Sequence, residues 1–175
     1  MSKAALIVIA PLVALAIGFL ILRAMPAHDR VAQAKAGDSL QGRYQGYDVG
    51  DVEGYWGRLE GAWTSERMLL VVDMSFPLLY GGAFAMAVLF GGSTLGLRAG
   101  WLLALLAPVL IVVAADWAEN LLLLTQLGQF ETTRKLSANW IRLASVATTL
   151  KFVFLGVSFI ETLGLAFAVG VSRHA

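Results

Sequence analysis

A chain of 175 residues that is 58% hydrophobic and only 14% charged is too apolar for a soluble domain, in which about half the residues are apolar and about a quarter charged. Thirteen Lys and Arg against twelve Asp and Glu leave a formal charge of +1, so no basic surface is offered to nucleic acid. Cysteine is absent, which excludes disulfides, Fe–S clusters, Cys-based zinc sites and thiolate nucleophiles, and leaves an integral membrane protein whose first partner is the lipid bilayer.

A hydrocarbon core about 30 Å thick needs about 20 apolar residues in a helix, and four runs of that order occur, at residues 4–22, 68–90, 100–124 and 140–169. The first holds no ionisable residue and is flanked by Lys3 and Arg23. It is too long for the apolar part of a signal peptide, and Pro26 spoils the small-residue cleavage pattern that would follow. We therefore expect a retained span. The second run is entered through Thr64-Ser65-Glu66-Arg67, where a hydroxyl can cap the first turn. None of the runs alternates with period two, and open strands would leave backbone groups unpaired in lipid. The expectation is an all-α, four-transmembrane-helix bundle forming a single membrane domain.

Between the first two runs lies a connection at 24–66 that carries seven of the twelve acids. Val52, Tyr55, Trp56 and Leu59 fall at i, i+3, i+4 and i+7, the stripe of a short amphipathic helix. Such a helix can lie on the membrane surface. A glycine-loosened loop with its aromatics resting on the interface fits the same residues. After the second run, the Gly92-to-Gly96 segment reads as a turn rather than a close helix contact. Lys3, Arg98 and Arg173 lie on one side of this topology, and nine Lys or Arg, among them Arg30, Lys35, Arg134 and Arg142, lie on the other. The positive-inside rule then places the longer loops in the cytoplasm. His28 and His174 lack the neighbours of a haem or His-ligated metal site.

The informative residues are the charges inside the apolar runs, each costing about 2.5 to 3.5 kcal/mol near a helix centre unless it faces a partner or water. Asp116, Glu119 and Asn120 share one helical face by their spacing of i, i+3, i+4. Asp73, Pro77 and Tyr80 form a stripe on the preceding run, and Thr148, Lys151, Ser158 and Glu161 another on the last. Counting depth at about 1.5 Å per residue brings Asp73, Tyr80, Asp116, Glu119, Asn120, Thr148 and Lys151 to within about two turns of one another, with Glu161 in the opposite half. Pro77 also frees the Asp73 carbonyl, four residues back, of its usual donor. Asp73, Asp116 and Glu119 are thereby candidate oxygen ligands for a hard divalent cation. Three carboxylates against one ammonium leave an excess of two negative charges, to be met by bound protons, a cation, or Arg67 or Arg142 reaching inward. A purely structural polar network fits the same spacing. The chain contains no GxSxG, HExxH or GxxxxGK[ST].

The combination Asp73-x3-Pro77-x2-Tyr80, Asp116-x2-Glu119-Asn120 and Thr148-x2-Lys151 resembles a group of small bacterial four-helix integral membrane proteins with no assigned activity. The resemblance covers residues 65–155 and implies a bacterial inner-membrane location, without a reaction. Three functions follow as expectations. The polar pocket binds a proton, a hard cation or a polar lipid group; or Asp116 or Glu119 serves as catalytic acid/base in an enzyme acting on a lipid-borne substrate; or the chain is an accessory subunit. In the last case a membrane-protein partner or second copy contacts Tyr47, Tyr55, Trp56 and Trp63.

Overall fold

The computed structural model describes residues 2–24, 40 and 43–172, and among these every regular element is a helix. They are α1 (Lys3–Ala24), α2 (Val49–Arg58), α3 (Trp63–Asp73), α4 (Phe76–Thr94), α5 (Ala99–Thr133) and α6 (Ala138–Val171). His28, Arg30, Lys35, Arg173, His174 and the segment around Pro26 lie outside the described residues.

Three helical stretches are long and apolar enough to cross a bilayer: Trp63–Thr94, Ala99–Thr133 and Ala138–Val171. The protein is therefore read as a membrane protein. α1 is helical over Lys3–Ala24, and its described apolar part is Lys3–Gly18. It packs chiefly on α4 and then on α6. Phe76 lies directly over Gly18, where any side chain would collide with its ring.

The second expected span is two helices. α3 ends at Asp73 and α4 begins at Phe76, joined by a turn at Met74 and Ser75. The pyrrolidine ring of Pro77 clashes with the carbonyl four residues back, which belongs to Asp73, whereas proline is well accommodated in the first turn of the helix that follows. α3 starts at Trp63 with Ala62 before it and no side-chain cap, so the expected hydroxyl cap is not made. Nor does Gly92 lie in the turn. α4 runs to Thr94, Gly91 meets Ile7 and Leu165, and Gly92 lies against Leu102. The turn comes at Gly96, whose φ of +67° lets Leu97 N–H reach the Gly92 carbonyl at 2.9 Å in a Schellman closure.

α5 and α6 are longer than the apolar runs that announce them. At 35 and 34 residues they measure about 50 Å each, so roughly 20 Å of each projects beyond a 30 Å hydrocarbon core. Against the adjoining ends of these two helices sits the segment before α3. Leu40, Tyr47, Val52, Tyr55, Trp56 and Leu59 pack with Leu70, Leu123, Leu127, Phe130, Ile141 and Ala144 into one apolar cluster. The apolar face of α2 is therefore buried on protein, not laid on the membrane. Forty residues cannot bury a core alone, and here the helix ends supply the other half. Tyr47, Tyr55 and Trp56 are all buried within the chain's own fold.

Arg134 closes α5 in the left-handed region at φ 55°, a conformation that costs a non-glycine residue about 1 kcal/mol or more. Its guanidinium pairs with Glu60 at 2.6 Å and covers the Trp63 ring at 4.3 Å, contacts that offset the strain and tie the α5–α6 turn to the capping segment.

Candidate functional site: a buried carboxylate and lysine cluster

Midway along the bundle, between the α2 cluster and a second apolar layer of Tyr80, Phe84, Val109 and Val112, the polar stripes of α4, α5 and α6 meet. Lys151 is 8% exposed and Glu119 fully buried. The Lys151 ammonium donates to Glu119 Oε2 at 2.6 Å and to Asp116 Oδ1 at 3.1 Å. Tyr80 donates to the other oxygen of Asp116 at 2.8 Å. One residue beyond Glu119, Asn120 donates to Asp73 Oδ2 at 3.0 Å. Asp73 reaches the cluster from the last residue of α3, where the helix break turns it inward.

The sequence-derived set is thus assembled, with Thr148 beside it. The Thr148 hydroxyl lies 3.0 Å from the Ala144 carbonyl and 3.4 Å from the Tyr47 hydroxyl. The candidate cation ligands are arranged differently from expectation. Asp116 and Glu119 converge on the lysine ammonium, which occupies the position a cation would take, while Asp73 faces Asn120. Among the described residues no three His, Asp or Glu side chains gather to hold a metal ion. Two buried acceptors, Glu119 Oε1 and Asn120 Oδ1, have no hydrogen-bond donor among the described residues. Glu161 stands apart in the other half of α6, half-buried, with its Oε2 and the nearby Ser158 hydroxyl also lacking partners there.

Two contributors escaped the sequence reading of the site. Trp117, inside the Asp116-to-Asn120 motif, donates its indole N–H to the Met74 carbonyl at 2.8 Å, satisfying an oxygen exposed by the α3–α4 break and pinning that break to α5. Tyr47 arrives from outside the spans. Gly46, at φ +86°, lies so close to α6 that any Cβ would strike the Ser145 hydroxyl, and Tyr47 N–H then donates to Ser145 Oγ at 2.9 Å. This docking directs the Tyr47 phenol toward Thr148 and Glu119, although neither hydroxyl reaches full hydrogen-bonding geometry with Glu119 Oε1. A glycine preceding a tyrosine in a polar loop was the available signal.

No protein-family model, curated protein or solved structure matches this chain.

Burial, followed by the nearby Glu119 charge, holds the Tyr47 phenol well above its ordinary ionisation range. A proton held more tightly in the folded state contributes stability that is fully present below the unfolded value, about 10 for tyrosine, and is lost as pH rises through the folded one. Above about pH 10, therefore, the capping segment loosens in the wild type. Tyr47→Phe blunts that alkaline loss, as followed by the melting temperature in detergent. Equal alkaline loss in both proteins contradicts the assignment.

Proposed function

We propose that the chain is a four-span membrane protein, with α1 as the additional span, whose buried cluster binds and exchanges a proton. One observation carries the reading: Asp73, Asp116 and Glu119 share an enclosed space with a single ammonium, while a Glu119 oxygen lies buried without a donor. An excess of two negative charges in surroundings of low dielectric is met most economically by protons. The lysine already fills the place of a cation between Asp116 and Glu119. Tyr47 supplies a hydroxyl between this cluster and the surface, since it also lines a groove open to the outside. The motif likeness to small bacterial four-helix membrane proteins and the Lys and Arg asymmetry complete the proposal, with the inner membrane as location and the capping segment on the cytoplasmic side.

Melting curves of wild type, Glu119→Gln and Asp116→Asn in detergent, taken from pH 5 to pH 9 with and without Mg²⁺, Mn²⁺ or Ca²⁺, test the reading. The wild-type melting temperature varies with pH, the amide variants flatten that dependence, and the cations change nothing. Identical pH profiles for all three proteins contradict proton binding. A cation-induced rise that vanishes in Glu119→Gln replaces the proton with a metal.

A further inference from the structure

A groove of about 410 Å³ runs between the docked segment before α2 and the first turns of α6, lined on one wall by Asp48 and Val49 and on the other by Ile141, Arg142 and Val146. Its volume lies in the range of small-molecule sites, roughly 300 to 1,000 Å³. Arg142 is exposed and makes no hydrogen bond or ion pair among the described residues. It stands near the start of α6, whose N-cap Ser137 makes no side-chain cap. A guanidinium near the positive end of a long helix dipole is poorly placed unless an anion joins it. Two adjoining features, a free fork of N–H donors and an uncapped first turn, both favour a phosphate.

Asp48 provides the opposite charge. One of its oxygens accepts the Asp51 N–H at 2.8 Å, closing the capping box of α2, and the other has no partner among the described residues. No ion pair joins Asp48 to Arg142 across the groove. The level of the groove along the bundle is fixed by its neighbours. Trp140 is exposed on the same turn of α6, where indole rings favour the membrane interface, and Leu143 and Val146 are exposed immediately deeper.

We propose that this groove is a phospholipid site that selects a headgroup carrying both a phosphate and a primary ammonium, the chemistry of phosphatidylethanolamine. Arg142 and the start of α6 receive the phosphate diester, Asp48 accepts from the ammonium, and the acyl chains descend along Leu143 and Val146. A trimethylated ammonium offers Asp48 no N–H donor. A glycerol headgroup offers hydroxyls in place of a cation.

The test reconstitutes the whole protein in nanodiscs holding equal parts of phosphatidylethanolamine, phosphatidylcholine and phosphatidylglycerol, and then counts retained lipids by native mass spectrometry after transfer to detergent. Wild type retains phosphatidylethanolamine selectively. Arg142→Gln lowers that retention by about tenfold or more, equivalent to about 1.4 kcal/mol. Asp48→Asn keeps the helix cap, since asparagine caps as well as aspartate, but loses the preference over phosphatidylcholine. Both variants retain the wild-type melting temperature in lipid-free detergent, which separates headgroup recognition from folding. Equal retention of the three lipids by wild type, preference for either of the other two, or undiminished phosphatidylethanolamine binding in Arg142→Gln overturns the proposal.

Discussion

Lys151→Met lowers the stability of the protein by about 3 to 5 kcal/mol, the largest loss expected from any single substitution in the cluster. The ammonium is the sole cation within reach of Asp116 and Glu119 among the described residues, at 3.1 and 2.6 Å. Its removal leaves the carboxylate that it balances buried without a counter-charge, while the methionine recovers most of the side-chain volume and so keeps cavity formation out of the result. The partners should behave as a unit. Adding Asp116→Asn and Glu119→Gln to Lys151→Met restores most of the loss, because a buried ionic network replaced in full costs far less than one broken in half. Chemical denaturation of the single and triple variants in one detergent measures both effects. A Lys151→Met protein as stable as wild type shows that the lysine and the carboxyls do not depend on one another.

Trp56→Ala produces the second large effect, a loss of about 3 to 5 kcal/mol for truncating a buried tryptophan. Trp56 is fully buried at the centre of the cluster that joins α2 to the projecting ends of α5 and α6. Its ring lies 5.8 Å from that of Phe130, its indole N–H points to Glu66 Oε1 at 3.5 Å, and its carbonyl accepts the Trp63 indole at 2.8 Å. Truncation therefore removes packing from α5 and loosens the hold on α3 together. The spans should remain helical while the cap detaches, so that trypsin cuts at Arg58 much faster in the variant although circular dichroism changes little. Cleavage at the wild-type rate contradicts the packing role.

Three of the spans and the cluster were legible for one reason: helical periodicity and depth are both arithmetic on residue number. Asp116, Glu119 and Asn120 had to share a face, and Tyr80 and Lys151 fell at their depth, so the contacts among them followed once α4, α5 and α6 packed together. The break at Met74 and Ser75 was less accessible. Pro77 announced a perturbation, but only the ring's clash with the Asp73 carbonyl locates it, and the Trp117 donor that fills the gap reads in sequence as another apolar residue.

The cap was hidden for a different reason. The stripe of Val52, Tyr55, Trp56 and Leu59 specified an apolar face without naming what covers it. That covering surface lies on the adjoining ends of α5 and α6, where Leu123, Leu127 and Phe130 form an i, i+4, i+7 stripe that runs past the end of the apolar run at Leu124. Extending the helices past the end of their hydropathy would have exposed that match. The reach of Tyr47 depends on the docking of Gly46 against Ser145, a long-range fit with no local periodicity to reveal it.

Proton binding by the cluster requires that at least one of its carboxyls keep a proton at neutral pH. Infrared spectroscopy of the protein in nanodiscs at neutral pH measures this directly through the carbonyl stretch of a protonated carboxyl. The account predicts such a band in wild type, sensitive to exchange into D₂O and weakened or shifted by Asp73→Asn, Asp116→Asn or Glu119→Gln. Absence of the band, or a band that none of the three substitutions alters, contradicts the account.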